Sequence, residues 1–244
     1  MTTTKTKLFV IGDTHSDITP MSIKNFPEGK DLTKDDVVVQ LGDFGVIWKN
    51  FPDKEEKYWM NWLAEKPYTT VVVGGNHENW DRIFALPEST FKGAKCWVYE
   101  TPSGPVYFVK AGEILVINDK KYLCVRGAFS IDVAYRQSGI SWWSRETLSA
   151  EEETNTLNSL DAANWNVQGV FTHTCPDSVL PAFLDNPNDP KYHDPVSKFL
   201  EFVSNKLEFK EWHFGHMHND RVFTDAASDT YTCHMGFTTG VQEI

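Results

Sequence analysis

Cationic side chains are scarce in this sequence. Its 244 residues include 23 Lys or Arg against 34 Asp or Glu, a formal net charge of −11. Affinity for the phosphate backbone of long DNA or RNA needs clustered Lys and Arg, so no long nucleic acid is expected as a partner. Small phosphorylated substrates stay open, because bound cations reverse the local sign. Cysteine is rare too: Cys96, Cys124, Cys175 and Cys233 are far apart and form no CxxC. Neither a thiolate zinc site nor a disulfide framework follows from such spacing. Free thiols in a reducing compartment do. The first apolar run, "KLFVI", is too short for a signal peptide or a membrane span. The chain is therefore read as cytoplasmic, with no membrane partner. Repeats, low-complexity segments and dividing linkers are absent, which predicts one domain over residues 1–244.

Apolar residues make up 41% of the chain, with nine Trp and sixteen Phe, enough for a full core. "KLFVI" (7–11), "DVVVQL" (36–41) and "TTVVV" (69–73) read as buried strands, each breaking at glycine. Between the second and third, residues 53–66 place Tyr58, Trp59, Trp62 and Leu63 at helical spacing. Strand, helix, strand is the pattern of a βαβ unit, whose ligands gather at the carboxyl ends of strands. Residues 95–127 hold four short runs that read as consecutive antiparallel strands. Helices are predicted over 149–165, with a Ser149–Glu152 capping box, and over 194–207, with an Asp194 cap and Pro195 at the first helical position. "QGVFTH" (168–173), "KEWHFG", "DRVFT" and "TYTCHM" read as further strands. The loop 185–195 is the least regular stretch. Together these predict an α/β fold with two sheets and flanking helices.

Five segments stand out, each just after a predicted strand: "GDTH" (Asp13, His15), "GD" (Asp43), "GGNHE" (Asn76, His77), "TH" (His173) and "GHMH" (His216, His218). Five of the eight histidines are here. Asp, Asn and His supply the oxygen and nitrogen donors used for divalent cations. Taken singly, Asp13 or Asp43 reads as a turn residue and His173 as a core histidine. In this order, DxH, GD, GNHE, H and GHxH resemble the calcineurin-like metallophosphoesterase superfamily over residues 12–218.

The resemblance implies two packed mixed sheets with helices outside, an α/β/β/α sandwich, and a pair of metal ions at one edge. It implies Asp13, His15 and His218 on one ion, Asn76, His173 and His216 on the other, and Asp43 as the bridging carboxylate. Two cations about 3.5–4 Å apart clamp the oxygens of an in-line displacement. A bridging water ionises near neutral pH and attacks phosphorus, with Asp43 and His77 as catalytic groups. His77 protonates the leaving oxygen or steadies the phosphoryl oxygens. The expected reaction is metal-dependent hydrolysis of a phosphomonoester or phosphodiester. Mn is the expected activator in an assay; Fe, Zn and Ni suit the same donors.

One departure narrows this reading. Protein Ser/Thr phosphatases of the superfamily continue the second motif as GDxxDRG, whereas this chain has "GDFGVIW", with Val46 and Ile47 in place of the Asp and Arg. A phosphoprotein phosphatase of that type is not expected, and the partner that orients His77 is left open. The segment 126–143 matches no shared motif. Arg126, Tyr135, Arg136 and Trp142 there suit a base plus phosphate; alternatively, Trp142 and Trp143 cover a small core. Short or cyclic nucleotides are candidate substrates. A non-catalytic scaffold of the same fold is the competing reading, against which stand the complete ligand set and His77. His193, His213 and His234 are read as structural, and Glu55, Glu56 and Glu151–Glu153 as solvated first turns of helices.

Overall fold

A computed structural model of the chain describes residues 5–184, 186 and 194–244. His193 and most of the loop 185–195 lie outside these residues. The three β-branched runs form β1 (Leu8–Ile11), β2 (Val37–Gln40) and β3 (Thr69–Val72), parallel and in register side by side. Each is buried along its whole length, as strands covered on both faces must be. Between β2 and β3 runs α1 (Lys54–Ala64), whose first turn is closed by the Asp53 carboxylate accepting from Glu56 N. Its buried face is Met60, Leu63 and Ala64, while Tyr58 is exposed and Trp59 and Trp62 are half-buried.

The middle of the chain departs from a simple meander. β4 (Glu88–Phe91), β5 (Ala94–Thr101) and β6 (Gly104–Val109) are antiparallel neighbours. β6 lies between β5 and β3, so neither of its edges is free. The chain therefore leaves this sheet and starts a second with the hairpin β7 (Glu113–Ile117) and β8 (Lys120–Val125). β9 (Gly169–Thr172) and β10 (Glu211–Phe214) add to β8 in parallel. β11 (Val222–Thr224) and β12 (Thr230–Cys233) complete the second sheet, and β13 (Gln242–Glu243) returns to pair with β1. The result is a seven-stranded and a six-stranded mixed sheet. β4 and β13 escaped the sequence reading because they are short and partly exposed.

Three apolar layers hold the sandwich together. The inter-sheet layer mixes Val10, Val39, Val71 and Cys96 from the first sheet with Leu115, Cys124 and Phe171 from the second. Outside the first sheet, Phe9, Val38, Val72 and Phe108 pack on Met60 and Leu63 of α1. Outside the second, Leu123, Val170 and Trp212 meet α3 (Ala150–Ala162) and α4 (Pro195–Ser204) through Leu160, Phe199, Leu200 and Val203. Both helices carry the predicted caps: the Ser149–Glu152 capping box, and Asp194 accepting from Val196 N and Ser197 N. The four cysteines are buried and unpaired. Among the described residues, no helix is long and apolar enough to cross a membrane.

Two acidic residues read as solvated are not. Glu56 is buried and takes both guanidinium nitrogens of Arg82, a residue of α2 (Trp80–Ile83), at 2.6 Å. Glu152 does the same for Arg126 at 2.7 Å. In both cases a distant Arg occupies the carboxylate, which no helix-local pattern announces.

Candidate metal centre

All seven candidate ligands leave the carboxyl ends of parallel strands. Asp13 and His15 follow β1, Asp43 follows β2 and Asn76 follows β3 in one sheet; His173 follows β9, and His216 and His218 follow β10, in the other. The turns that aim them are strained. Asp13, His15, Asp43, His216 and His218 have φ between 43° and 66°. Left-handed backbone costs a non-glycine residue of order 1–3 kcal/mol, and such outliers concentrate where function over-determines them. Two glycines make room between the turns. A Cβ on Gly42 would lie 2.1 Å from the His173 ring, and one on Gly75 would lie 2.5 Å from Asp43 Oδ1.

The donor atoms fall into two sets. Asp13, His15, Asp43 and His218 form one; Asp43, His173 and His216 form the other, all donors of a set lying within 4.8 Å of one another. Asp43 is common to both. Its Oδ2 is 3.7 Å from His15 Nε2, and its Oδ1 is 3.1 Å from His173 Nε2. Asn76 Oδ1 is 3.0 Å from His173 Nε2, which puts it with the second set. Asp13 Oδ1 accepts from His216 N at 3.0 Å and ties the two sheets together.

Several features fit these residues to cations. Asp13 Oδ2 is buried with no hydrogen-bond partner, and a buried orphan acceptor costs free energy unless something positive meets it. His15 Nε2 and His218 Nε2 converge to 3.1 Å, and imidazole nitrogen is a common metal ligand. Burial raises the Asp13 carboxyl to about 8, with the Asp43 charge adding to the rise. Burial lowers His15 to about 4 and His216 to about 3, which keeps both rings neutral. Burial would lower His173 as well, but the charge and hydrogen bond of Asp43 overcome it and raise the ring to about 10. The His173 proton thus sits between Asp43 and Asn76, where a cation would neutralise the same oxygens. Leu41 O, 2.9 Å from His173 Nδ1, accepts that nitrogen's proton and leaves Nε2 for the site.

Contacts beyond the ligands fix them in place. Glu78 accepts from Phe44 N at 2.6 Å and Gly75 N at 2.7 Å, joining the turns after β2 and β3. Burial raises the Glu78 carboxyl to about 7. Asn76 Nδ2 donates to Ser130 Oγ at 3.1 Å, and Ser130 donates to the buried Glu146 at 2.6 Å. This relay turns Asn76 Oδ1 toward His173. Glu78 stands inside the GGNHE motif and could have been suspected there; Ser130 and Glu146 carry no local signal.

His77 is oriented from three sides. Its backbone N–H donates to Asp43 Oδ1 at 2.9 Å. Its ring stacks on Trp48, with centroids 5.7 Å apart and planes 20° from parallel. Arg136 Nη2 lies 3.0 Å from His77 Nε2. A guanidinium only donates, so His77 Nε2 accepts in this contact. Arg136 is in turn held by Asp132 Oδ1 at 2.6 Å and by Ser141 O at 3.0 Å.

Of the four residues suggested for substrate recognition, Arg136 alone lines the cavity over the site, about 380 Å³ in volume and bounded also by His15, Asn76, His77 and His218. Arg126 is buried, paired with Glu152 and stacked 4.0 Å from the Trp80 ring centroid. Its guanidinium turns to Glu152 and Arg145 O, and it does not line the cavity. Tyr135 projects into solvent at 94% exposure. Trp142 is half-buried in a bridge with Ser138 and does not line the cavity. Trp143 belongs to the apolar layer around α1, edge-on to Trp48 at 5.0 Å, in line with the packing alternative. His213 and His234 are buried against each other, 2.9 Å apart, and belong to neither ligand set.

No curated protein matches the chain. A solved structure, the phosphopantetheinyl hydrolase of Mycobacterium tuberculosis, is similar at 14% identity and a TM-score of 0.48, covering 98% of this chain and 96% of that one. The family model for calcineurin-like phosphoesterases matches residues 6–220, which include every candidate ligand. With that span matched, the chain belongs to the calcineurin-like phosphoesterase family.

Proposed function

We propose that the chain hydrolyses the ester bond of a small phosphorylated molecule at a two-cation site held by Asp13, His15, Asp43, Asn76, His173, His216 and His218. The observation that carries this reading is Asp43, whose two oxygens face the two histidine sets separately. A pair of divalent cations would there neutralise the phosphoryl charge and make water an adequate nucleophile near neutral pH.

The remaining groups have roles that follow from their placement. Among the described residues, Arg136 is the one Lys or Arg that lines the cavity, and its fork suits two phosphoryl oxygens. When it turns to substrate, His77 Nε2 is released and faces the same space, able to steady a phosphoryl oxygen or protonate the departing oxygen. The cleaved alcohol gains one proton and the phosphoryl group gains the oxygen of water. Cavity volume, net charge and the missing DRG sequence favour a compact mono- or diester over phosphoprotein or polymeric nucleic acid.

Turnover of an aryl phosphate and an aryl phosphodiester with Mn²⁺ present tests the reading. Asp43→Asn and His173→Ala should each abolish it. Full activity in either variant would contradict the assignment.

A further inference from the structure

A second cavity, of about 290 Å³, opens on the other side of His15 and His77, and those two rings line both spaces. Its remaining walls include Trp48, which stacks on His77, Trp59 of α1, and Val46, beside four charged residues. Val46 and the buried Ile47 stand where a charged pair occurs in the protein-phosphatase branch, so the wall next to the site has become apolar. The rim is acidic. Lys49 is paired with Asp53 and lies 3.7 Å from Glu55, so its charge is already met, and Glu55 is left exposed. Glu56, on the same wall, is matched by Arg82. Among the described residues, the paired Lys49 is the one Lys or Arg that lines this cavity.

Resting on the phosphoesterase reading above, we propose that this cavity is the leaving-group subsite and takes a flat aromatic group that is neutral or cationic. With the phosphoryl group beside Arg136, the ester oxygen passes His77 and the ring enters between Trp48 and Trp59. The volume is at the small end of ligand pockets, which run from about 300 to 1,000 Å³, so one ring system fits and a dinucleotide does not. Aromatic stacking is sequence-tolerant, and removing one ring platform typically costs of order tenfold or more in affinity. The acidic rim disfavours leaving groups that carry further phosphates.

The test compares 2-naphthyl phosphate with ethyl phosphate in the Mn²⁺-loaded protein and its Trp59→Ala and Trp59→Phe variants. Trp59 belongs to neither donor set, so its loss should reach the chemistry only through the leaving group. Expected is a fall of about tenfold in kcat/KM for the naphthyl ester in Trp59→Ala, mainly in KM, with ethyl phosphate unchanged and Trp59→Phe recovering most of the loss. Equal losses on both esters, or none on either, would overturn the subsite. Binding of free 2-naphthol, followed by quenching of tryptophan fluorescence, separates the two claims. If wild type hydrolyses no ester but naphthol binds in a Trp59-dependent way, the hydrolase reading fails and the cavity stands. If esters turn over and naphthol binding ignores Trp59, the reverse holds.

Discussion

The backbone N–H of His216 donates to Asp13 Oδ1 at 3.0 Å across 203 positions of sequence. This bond joins the turn after β1 in one sheet to the turn after β10 in the other. It leaves Asp13 Oδ2 buried and without a hydrogen-bond partner. One carboxylate thus closes the seam between the sheets with one oxygen and presents the other to the candidate ion.

Metal affinity should rise with pH. Near neutrality and without metal, Asp13, raised to about 8, and His173, raised to about 10, both hold protons. A cation needs the carboxylate and the free imidazole nitrogen, so binding expels protons. Each proton expelled strengthens binding about tenfold per pH unit below its pKa. Calorimetric titration with Mn²⁺ in buffers of different ionisation enthalpy measures the release. More than one proton per chain is expected near neutrality; none would contradict the assignment.

Ser130→Ala should weaken metal binding without touching a ligand. It strips the Asn76 amide of its acceptor and takes the Ser130 hydroxyl from the buried Glu146, which keeps the Ser130 backbone N–H. Loss of such outer contacts commonly costs about 10- to 100-fold in metal affinity or activity. Competition against a chelating dye gives the affinity, and the second ion should suffer more than the first. An unchanged titration curve would remove Ser130 from the account.

Arg136→Ala should lower kcat/KM by roughly 10- to 100-fold, the worth of a charged hydrogen bond of about 1.5–3 kcal/mol. Metal content should stay unchanged, since Arg136 touches His77 and none of the ligands. Arg136→Lys should recover only part, because an ammonium cannot grip two oxygens in one plane. Steady-state kinetics with metal analysis on the same samples decides it. Equal activity in wild type and Arg136→Ala would show that Arg136 does not hold the substrate.

Arg126→Ala should affect folding instead. It leaves Glu152 without its bidentate partner and opens a gap over Trp80. Breaking a buried pair from one side costs about 3–5 kcal/mol. Denaturant unfolding should show that loss, while kcat/KM per folded molecule holds. A selective fall in kcat/KM at unchanged stability would return Arg126 to the substrate site.

Much of the site was legible because the seven ligands are presented by five short turns, each directly after a strand. A strand rich in Val, a glycine and a donor occur within a few residues, so DxH, GD and GNHE can be read locally. The contacts that orient the donors were not. Arg136 reaches His77 over 59 positions, and Asn76 reaches Ser130 over 54. Both depend on how the segment after β8 folds over the sheet ends, which no periodicity encodes. The fold followed the same division. Parallel β1, β2 and β3 and the helix caps were visible, whereas the passage from β6 to β7 was read as one meander. Only the pairing of β6 with β3 shows why the chain had to change sheets there.

The central claim is that Asp43 stands between two cations. Crystals grown with Mn²⁺ and measured at an energy where manganese scatters anomalously would test it directly. Two peaks about 3.5–4 Å apart are expected, one beside Asp13, His15 and His218, the other beside Asn76, His173 and His216, with Asp43 contacting both. A single peak, or two peaks with Asp43 bound to neither, would contradict it.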